Sequence, residues 1–209
     1  MNTSADIQDN QVQEWLRQTG ILRTRDFEAM GYSRQQLKRL VDRGEIERLG
    51  RGLYSLPDAE LTQHHSLAEV CKRVPQAIVC LSSALQFHNL TTQSPVEVRI
   101  LLERTARTPT FEYPPLRVFR ASREALTAGV EEHMIEGVSV RVTNIAKTVA
   151  DCFKYRNKVG LDIAIEALRE SLRRNPQTGQ RPYTREELRH FARICRVERV
   201  MQPYLEALS

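Results

Sequence analysis

Five glycines divide the first 56 residues of this chain, Gly20, Gly31, Gly44, Gly50 and Gly52, and each closes a short segment with its own periodicity. Val12, Trp15 and Leu16 recur at i, i+3 and i+4, so an amphipathic helix is predicted from about Ile7 to Gln18. Gly20 ends it as the left-handed residue that a helix C-terminus commonly needs. Ile21 and Leu22 read as an apolar connector. Thr24 is placed to cap a second short helix, Arg25 to Met30, which buries Phe27 and Met30, and Gly31-Tyr32 makes a tight turn. Ser33, with Gln36 three residues on, has the spacing of a capping box and opens a third helix that runs to about Arg43 and closes at Gly44. Ile46 to Arg48 and Leu53 to Ser55 read as strands on either side of the turn Leu49-Gly50-Arg51-Gly52. Three helices followed by a β-hairpin, with a glycine-containing turn between the second and third, is the order of a winged helix-turn-helix. A generic three-helix unit with a hairpin shares that order, but capping, glycine positions and charge placement all agree with the sharper reading.

The third helix separates its faces. Projected at about 100° per residue, Leu37, Leu40 and Val41 fall together, while Gln35, Arg39 and Asp42 point away, with Arg34 and Lys38 on the near flank. The N-terminal part of a recognition helix is the part that reaches base edges. Arg pairs bidentately with guanine and Gln with adenine. Gln35, Arg39 and Lys38 are therefore candidates for base reading, and Arg34 for phosphate. Exposed Arg, Lys and Gln also decorate inert helices, so the helix alone does not discriminate. The hairpin adds to it: Arg51 stands between two glycines and Arg48 precedes them, which suits a wing laid on phosphate or in a narrow minor groove. From 34 to 51 there are six Lys/Arg (34, 38, 39, 43, 48, 51) against three acids (42, 45, 47). A net charge of +5 permits nucleic-acid binding, and this local concentration gives it a place.

The polar, proline-containing segment 56–62 suggests a boundary between a winged-helix domain, 1–58, and a second domain, 63–209. The second region is expected to be α+β. A helix carrying Leu67, Val70 and Cys71 ends at Pro75, followed by a strand Ala77 to Cys80 and a helix capped by Ser82. Strands are expected at Val96 to Leu102 and Leu116 to Phe119, and a hairpin around Glu136-Gly137. A helix capped by Thr143 or Asn144 runs to about Tyr155 and buries Ile145, Val149, Cys152 and Phe153, with Lys147 and Asp151 paired at i, i+4 on another face. Two more helices follow, Leu161 to Arg174 and Thr184 to Cys195, the latter with a Thr184–Glu187 capping box. Arg169, Arg173 and Arg174 cluster at the end of the former, as complements of the helix dipole or as a face for an acidic partner or DNA phosphates.

Several classes find no support. No phosphate loop, H-E-x-x-H or G-x-S-x-G occurs, so no enzyme and no cofactor is expected. A metal nuclease using Glu97, Arg99 and Asp151 is the one enzymatic alternative, but charges alternating on a half-exposed strand need no chemistry. Cys71, Cys80, Cys152 and Cys195 lack C-x-x-C spacing and a nearby His, which points to reduced structural thiols and no zinc. His64-His65 reads as a solvated pair, and His88 as a helix-end imidazole suited to the dipole. No stretch approaches the ~18–20 apolar residues of a membrane span. Met1 to Gln11 is polar, with neither the basic start nor the apolar run of a secretory signal, so a cytoplasmic location is expected.

These residues carry a family resemblance. The run F-E-A-M-G-Y-S-R-Q-Q-L-K-R-L-V-D-R-G-E-I-E-R-L-G-R-G-L-Y-S-L (27–56) resembles the winged helix that opens AbiEi-family antitoxins of type IV toxin–antitoxin systems. The segments S-S-A-L-Q-F-H-N-L (82–90), T-N-I-A-K-T-V-A-D-C-F-K-Y-R (143–156) and G-L-D-I-A-I-E-A-L-R-E (160–170) are similar to that family's C-terminal domain, so the resemblance covers nearly the whole chain. It implies an autorepressor that binds inverted repeats in promoter DNA, and a C-terminal domain that counters a nucleotidyltransferase-like toxin without requiring a stable complex. By position it makes Arg34, Gln35, Lys38, Arg39 and Arg51 the DNA-contact candidates, and Arg48 joins them from the charge pattern. No motif locates a toxin-neutralising surface. The competing reading is a winged-helix regulator whose second domain senses a small molecule.

Overall fold

In the computed structural model, which describes residues 3–173 and 182–208, the glycine-divided segment folds as α1 (Thr3–Thr19), β1 (Leu22–Arg23), α2 (Thr24–Ala29), α3 (Arg34–Asp42), β2 (Glu47–Gly50) and β3 (Leu53–Ser55). Val12, Leu16, Leu22, Phe27, Tyr32, Leu37, Leu40 and Ile46 form one buried cluster. At about 1.5–3 kcal/mol for each large apolar side chain, this burial holds three short helices that would not persist alone. The Ile21-Leu22 connector contains a strand: Leu22 pairs with Tyr54 and Arg23 with Leu53, giving an antiparallel sheet of order β1-β3-β2. Thr24 does not cap α2. It is the first helical residue, and its N–H donates to the Gly52 carbonyl at 3.0 Å. The Asp26 carboxylate instead accepts the Arg23 N–H at 2.9 Å.

The unit containing these elements is larger than the segment before 58. It comprises Met1–Pro75 and Met134–Val140. The helix after the polar segment, α4 (His65–Arg73), packs on β1, and the Arg23 guanidinium donates to the Lys72 carbonyl at 3.2 Å. The chain returns for residues 134–140, whose backbone lies against the end of α1. A Cβ at Gly20 would fall 1.7 Å from the Glu136 carbonyl oxygen, and one at Gly137 would fall 2.4 Å from the Thr19 carbonyl carbon. His64-His65 is not a solvated pair: His65 Nδ1 lies 2.7 Å from Glu136 Oε2, and the Thr62 N–H and hydroxyl donate to Oε1 of the same carboxylate. Burial alone would raise the Glu136 carboxyl, but these hydrogen bonds outweigh it and hold the group below its ordinary range.

The second unit, Gln76–His133 with Arg141–Ser209, is mixed α+β. Its elements are β4 (Ile78–Val79), α5 (Leu81–Phe87), β5 (Val98–Glu103), β6 (Leu116–Ala121), α6 (Arg123–Thr127), β7 (Val130–Ile135), β8 (Val138–Thr143), α7 (Ile145–Lys154), α8 (Arg156–Val159), α9 (Leu161–Leu172), α10 (Arg185–Cys195) and α11 (Glu198–Ala207). The sheet order is β6-β5-β4-β8-β7, with β5 parallel to β6, β4 parallel to β8, and β4 antiparallel to β5. The tip of the β7–β8 hairpin is the part counted with the first unit. Helix α7 packs against α5, α9 and α10, and every residue from Ala146 to Phe153 is buried. The Lys147–Asp151 face is therefore interior. Lys147 Nζ lies 2.5 Å from Asp151 Oδ2, and the Cys195 thiol donates to Oδ1 at 3.2 Å.

Several local expectations shift for identifiable reasons. Helix α5 begins at Leu81 (φ +51°), not after Ser82, because the Ser82 and Ser83 hydroxyls accept from the Arg99 guanidinium and the Arg99 N–H at 3.0 and 2.9 Å. Asn144 caps α7, while the Thr143 hydroxyl is 2.7 Å from that of Thr148. His88 Nε2 lies 2.7 Å from the Thr143 carbonyl and burial lowers its pKa, so it serves as a neutral donor, not a charged dipole complement. Helix α9 ends at Leu172. Arg173 pairs with Glu170 at 2.7 Å, and Arg174 lies outside the described residues. The four cysteines form no disulfide and are buried, and burial together with Asp151 pushes the Cys195 thiol up to about 12. Among the described residues no helix is long and apolar enough to cross a membrane, and no group of three or more His, Cys, Asp or Glu could hold a metal ion.

Candidate nucleic-acid interface

Helix α3 is seated by two residues and presents the rest. Leu37 and Leu40 are each 1% exposed, beneath α1 and α2. The period that buries them turns Arg34, Gln35, Lys38, Arg39 and Asp42 to solvent. Its first turn is fixed by the reciprocal cap: the Gln36 N–H donates to Ser33 Oγ at 3.3 Å, and the Ser33 N–H donates to Gln36 Oε1 at 2.8 Å. The position that reads bases in a helix-turn-helix is thus rigid at its start, and Gln36 is spent on the cap and not on a ligand.

The wing is held by aromatic packing and by a bulge. Tyr54 of β3 meets Phe27 of α2 edge-on, with ring centroids 5.5 Å apart. The β2–β3 register, Glu47↔Ser55, Arg48↔Tyr54 and Gly50↔Leu53, shifts between Arg48 and Gly50, so the turn is only Arg51-Gly52 and β2 continues through Gly50. The two glycines differ. Gly52 has φ +73°, which a tight turn needs. A Cβ at Gly50 would fall 2.5 Å from Arg73 Nη2, the end of a flexible side chain that can move aside. Arg51 stands exposed at the tip, and the Arg48 guanidinium folds back to donate to the Gly50 carbonyl at 3.1 Å.

Between α2, the start of α3 and the wing lies an open groove lined by Arg23, Arg25, Arg34, Arg48, Arg51 and Arg73, with Thr24 and Tyr54. These cations are not equivalent. Arg23 is paired with Asp26 at 2.9 Å. Burial alone would raise the Asp26 carboxyl, but hydrogen bonds from Arg23 and the nearby Lys72 outweigh it and lower its pKa. Arg73 is paired with Glu69, whose burial raises its pKa against the pull of Arg73. Both pairs are structural. Arg34 carries an exposed pair to Glu28 at 2.9 Å, worth little in water. Among the described residues Arg25, Arg48 and Arg51 have no carboxylate partner, and neither do Lys38 and Arg39 on the α3 face.

The structure therefore divides the six sequence candidates into two sets. Arg34, Arg48 and Arg51 share the groove, whereas Gln35, Lys38 and Arg39 stand on the outer face of α3. Arg25 went unrecognised. One exposed cation at the start of a six-residue helix carries no periodic signal, and only the fold of the wing brings it beside Arg48 and Arg51. The residues of the nuclease alternative do not form a common centre. Glu97 is paired with Arg99 at 3.3 Å and Arg117 at 3.4 Å, while Asp151 is committed to Lys147 and Cys195.

Residues 10–57 match the family model described as "Transcriptional regulator, AbiEi antitoxin". The match runs from within α1 to just past the wing, and over that segment the chain is similar to AbiEi-family transcriptional regulators. No curated protein matches the chain in sequence.

Proposed function

We propose that this AbiEi-type regulator is an autorepressor and antitoxin of a type IV toxin–antitoxin system. Residues 1–58 act as the DNA-binding domain: α3 enters the major groove of promoter DNA, Gln35 and Arg39 read base edges with Lys38 beside them, and Arg34, Arg48 and Arg51 hold phosphates. Residues 63–209 act as the antitoxin domain and counter a nucleotidyltransferase-like toxin, with or without a direct complex. Inverted repeats in the operator and a cytoplasmic site of action follow from that role, and no catalytic step is assigned to the chain. The observation that carries the reading is α3 itself, with two leucines at 1% exposure on one face and a Gln and two unpaired cations on the other, inside the segment that matches the family.

The test has two arms. In a gel shift the chain should retard the promoter upstream of its own gene, and Arg39→Ala should reduce the preference for that promoter over a scrambled duplex by about 1–3 kcal/mol. In growth assays it should rescue cells that express a nucleotidyltransferase-like reading frame from the adjacent gene. A chain that binds both duplexes alike and rescues nothing refutes the reading. A second reading, a regulator whose second domain senses a small ligand, is favoured by one observation, a cationic pocket in the second unit.

A further inference from the structure

We infer that the second unit holds a binding site for a phosphorylated small molecule, built by Arg104, Arg120, Ser122, Lys154 and Arg196 around a concavity of about 420 Å³. Its position follows from the sheet. Strands β5 and β6 run parallel and in register from Val98↔Leu116 to Glu103↔Ala121, so their C-terminal ends lie side by side. Arg104 directly follows β5, Ser122 directly follows β6, Lys154 ends α7 and Arg196 ends α10. Open sheets with parallel strands bind ligands in the crevice at the carboxyl ends of those strands. Four segments distant in sequence converge there, so the pocket is not the solvated face of one helix.

The charge in the pocket is uncompensated. Four cations line it against one carboxylate, Glu124, and among the described residues none of the four has a carboxylate within ion-pair distance. Arg120 is ordered by neutral acceptors only: it donates to the Glu103 carbonyl and the Thr108 hydroxyl, both at 2.7 Å. Its backbone carbonyl is held in turn by the Tyr155 hydroxyl at 3.0 Å. Neutral anchors fix a guanidinium and leave its charge in force. The Asp151 carboxylate behind Cys195 is paired with Lys147, which offsets part of its charge. Four like charges gathered in one concavity repel each other, and a multivalent tetrahedral anion relieves that repulsion while accepting from the Arg forks. The size suits a phosphate or diphosphate group and not a protein surface.

Arg196 supplies a variant that separates ligand binding from folding. It closes α10 in the left-handed conformation, φ +59° and ψ +40°, where glycine is the usual residue. Arg196→Gly therefore removes a cation while easing the backbone.

The experiment is calorimetric titration of the full chain, at physiological salt and without DNA, with inorganic pyrophosphate and separately with ADP. One site per chain is expected, with affinity reduced at least tenfold in both Lys154→Ala and Arg196→Gly and unchanged in the wing variant Arg51→Ala. Arg196→Gly should keep or raise the thermal midpoint, so its loss of binding is not a loss of fold. ADP binding tighter than pyrophosphate assigns a nucleotide, and equal binding assigns the phosphate group alone. The inference is overturned if neither probe binds, or if both variants bind as the unaltered chain does. It is also overturned if the probes fail while Lys154→Ala weakens promoter binding, which would make the cations nucleic-acid contacts. The probes bind without DNA, so these results stand apart from the repressor assignment.

Discussion

Truncating Arg51 should change how DNA binding depends on salt, by an amount that follows from the groove. Arg25, Arg34, Arg48 and Arg51 line it and are all exposed. If each neutralises one phosphate, a bound winged helix releases about four counterions and log K falls with log salt at a slope of about −3.6. Between about 50 and 200 mM salt that is a loss of affinity of roughly 150-fold. Arg51→Ala removes one contact, so the slope should fall to about −2.7 and the loss to roughly 40-fold. If two winged helices bind an inverted repeat, both slopes double and their ratio holds. The assay is fluorescence anisotropy on the labelled promoter and on a scrambled duplex of the same length. Arg51→Ala should flatten both titrations alike. Gln35→Ala should weaken only the promoter complex, by about 1–3 kcal/mol for a lost bidentate contact, and leave the slope in place. An Arg51→Ala protein with an unaltered slope, or one that differs only on the promoter, would show that the wing does not lie on the backbone.

Three further outcomes are expected. Gly52→Ala should destabilise the first unit by about 1–2 kcal/mol in urea denaturation, because alanine is strained at a left-handed φ; a midpoint unmoved by it contradicts the turn. Lys147→Met should destabilise the chain by about 3–5 kcal/mol by leaving a buried carboxylate without its cation, and Lys147→Met with Asp151→Leu should recover most of the loss. A double variant as unstable as the single one, followed by circular dichroism in urea, would count against the buried pair. Glu136, held below its ordinary value of 4.5 chiefly by bonds from His65 and Thr62 that overcome its burial, contributes stability in its charged form above that value and loses it as the pH falls through the folded value. The difference in thermal midpoint between the unaltered chain and Glu136→Gln should therefore be greatest near neutrality and shrink below pH 4.5; a constant gap across that range would remove the linkage.

Much of the winged-helix segment was legible because its determinants are local. The Ser33–Gln36 cap, the Leu37–Leu40 spacing and the glycine-bounded wing each act within a few residues, so α3 and its exposed face could be read directly. The capped start of α10 and the Glu136-Gly137 hairpin turn were read on the same ground. The Leu22–Arg23 strand was not, because two residues have no period and pair only once Leu53 and Tyr54 are in place. The helix at Pro203 was missed for a related reason: proline interrupts the propensity signal that packing against α7 and α10 overrides.

By itself the sequence determined a three-helix, winged segment with a polar, cationic outer face, since helix period, caps and turn glycines depend on neighbours along the chain. The tertiary structure alone decided which cations act together. Arg25 joins Arg48 and Arg51 in the groove beside the wing, Arg104 and Arg196 line one pocket at the carboxyl ends of β5 and β6, and Lys147 is turned inward to neutralise Asp151. Charge acts through space over a few ångströms, and residues dozens of positions apart reach that range only after the apolar faces have packed.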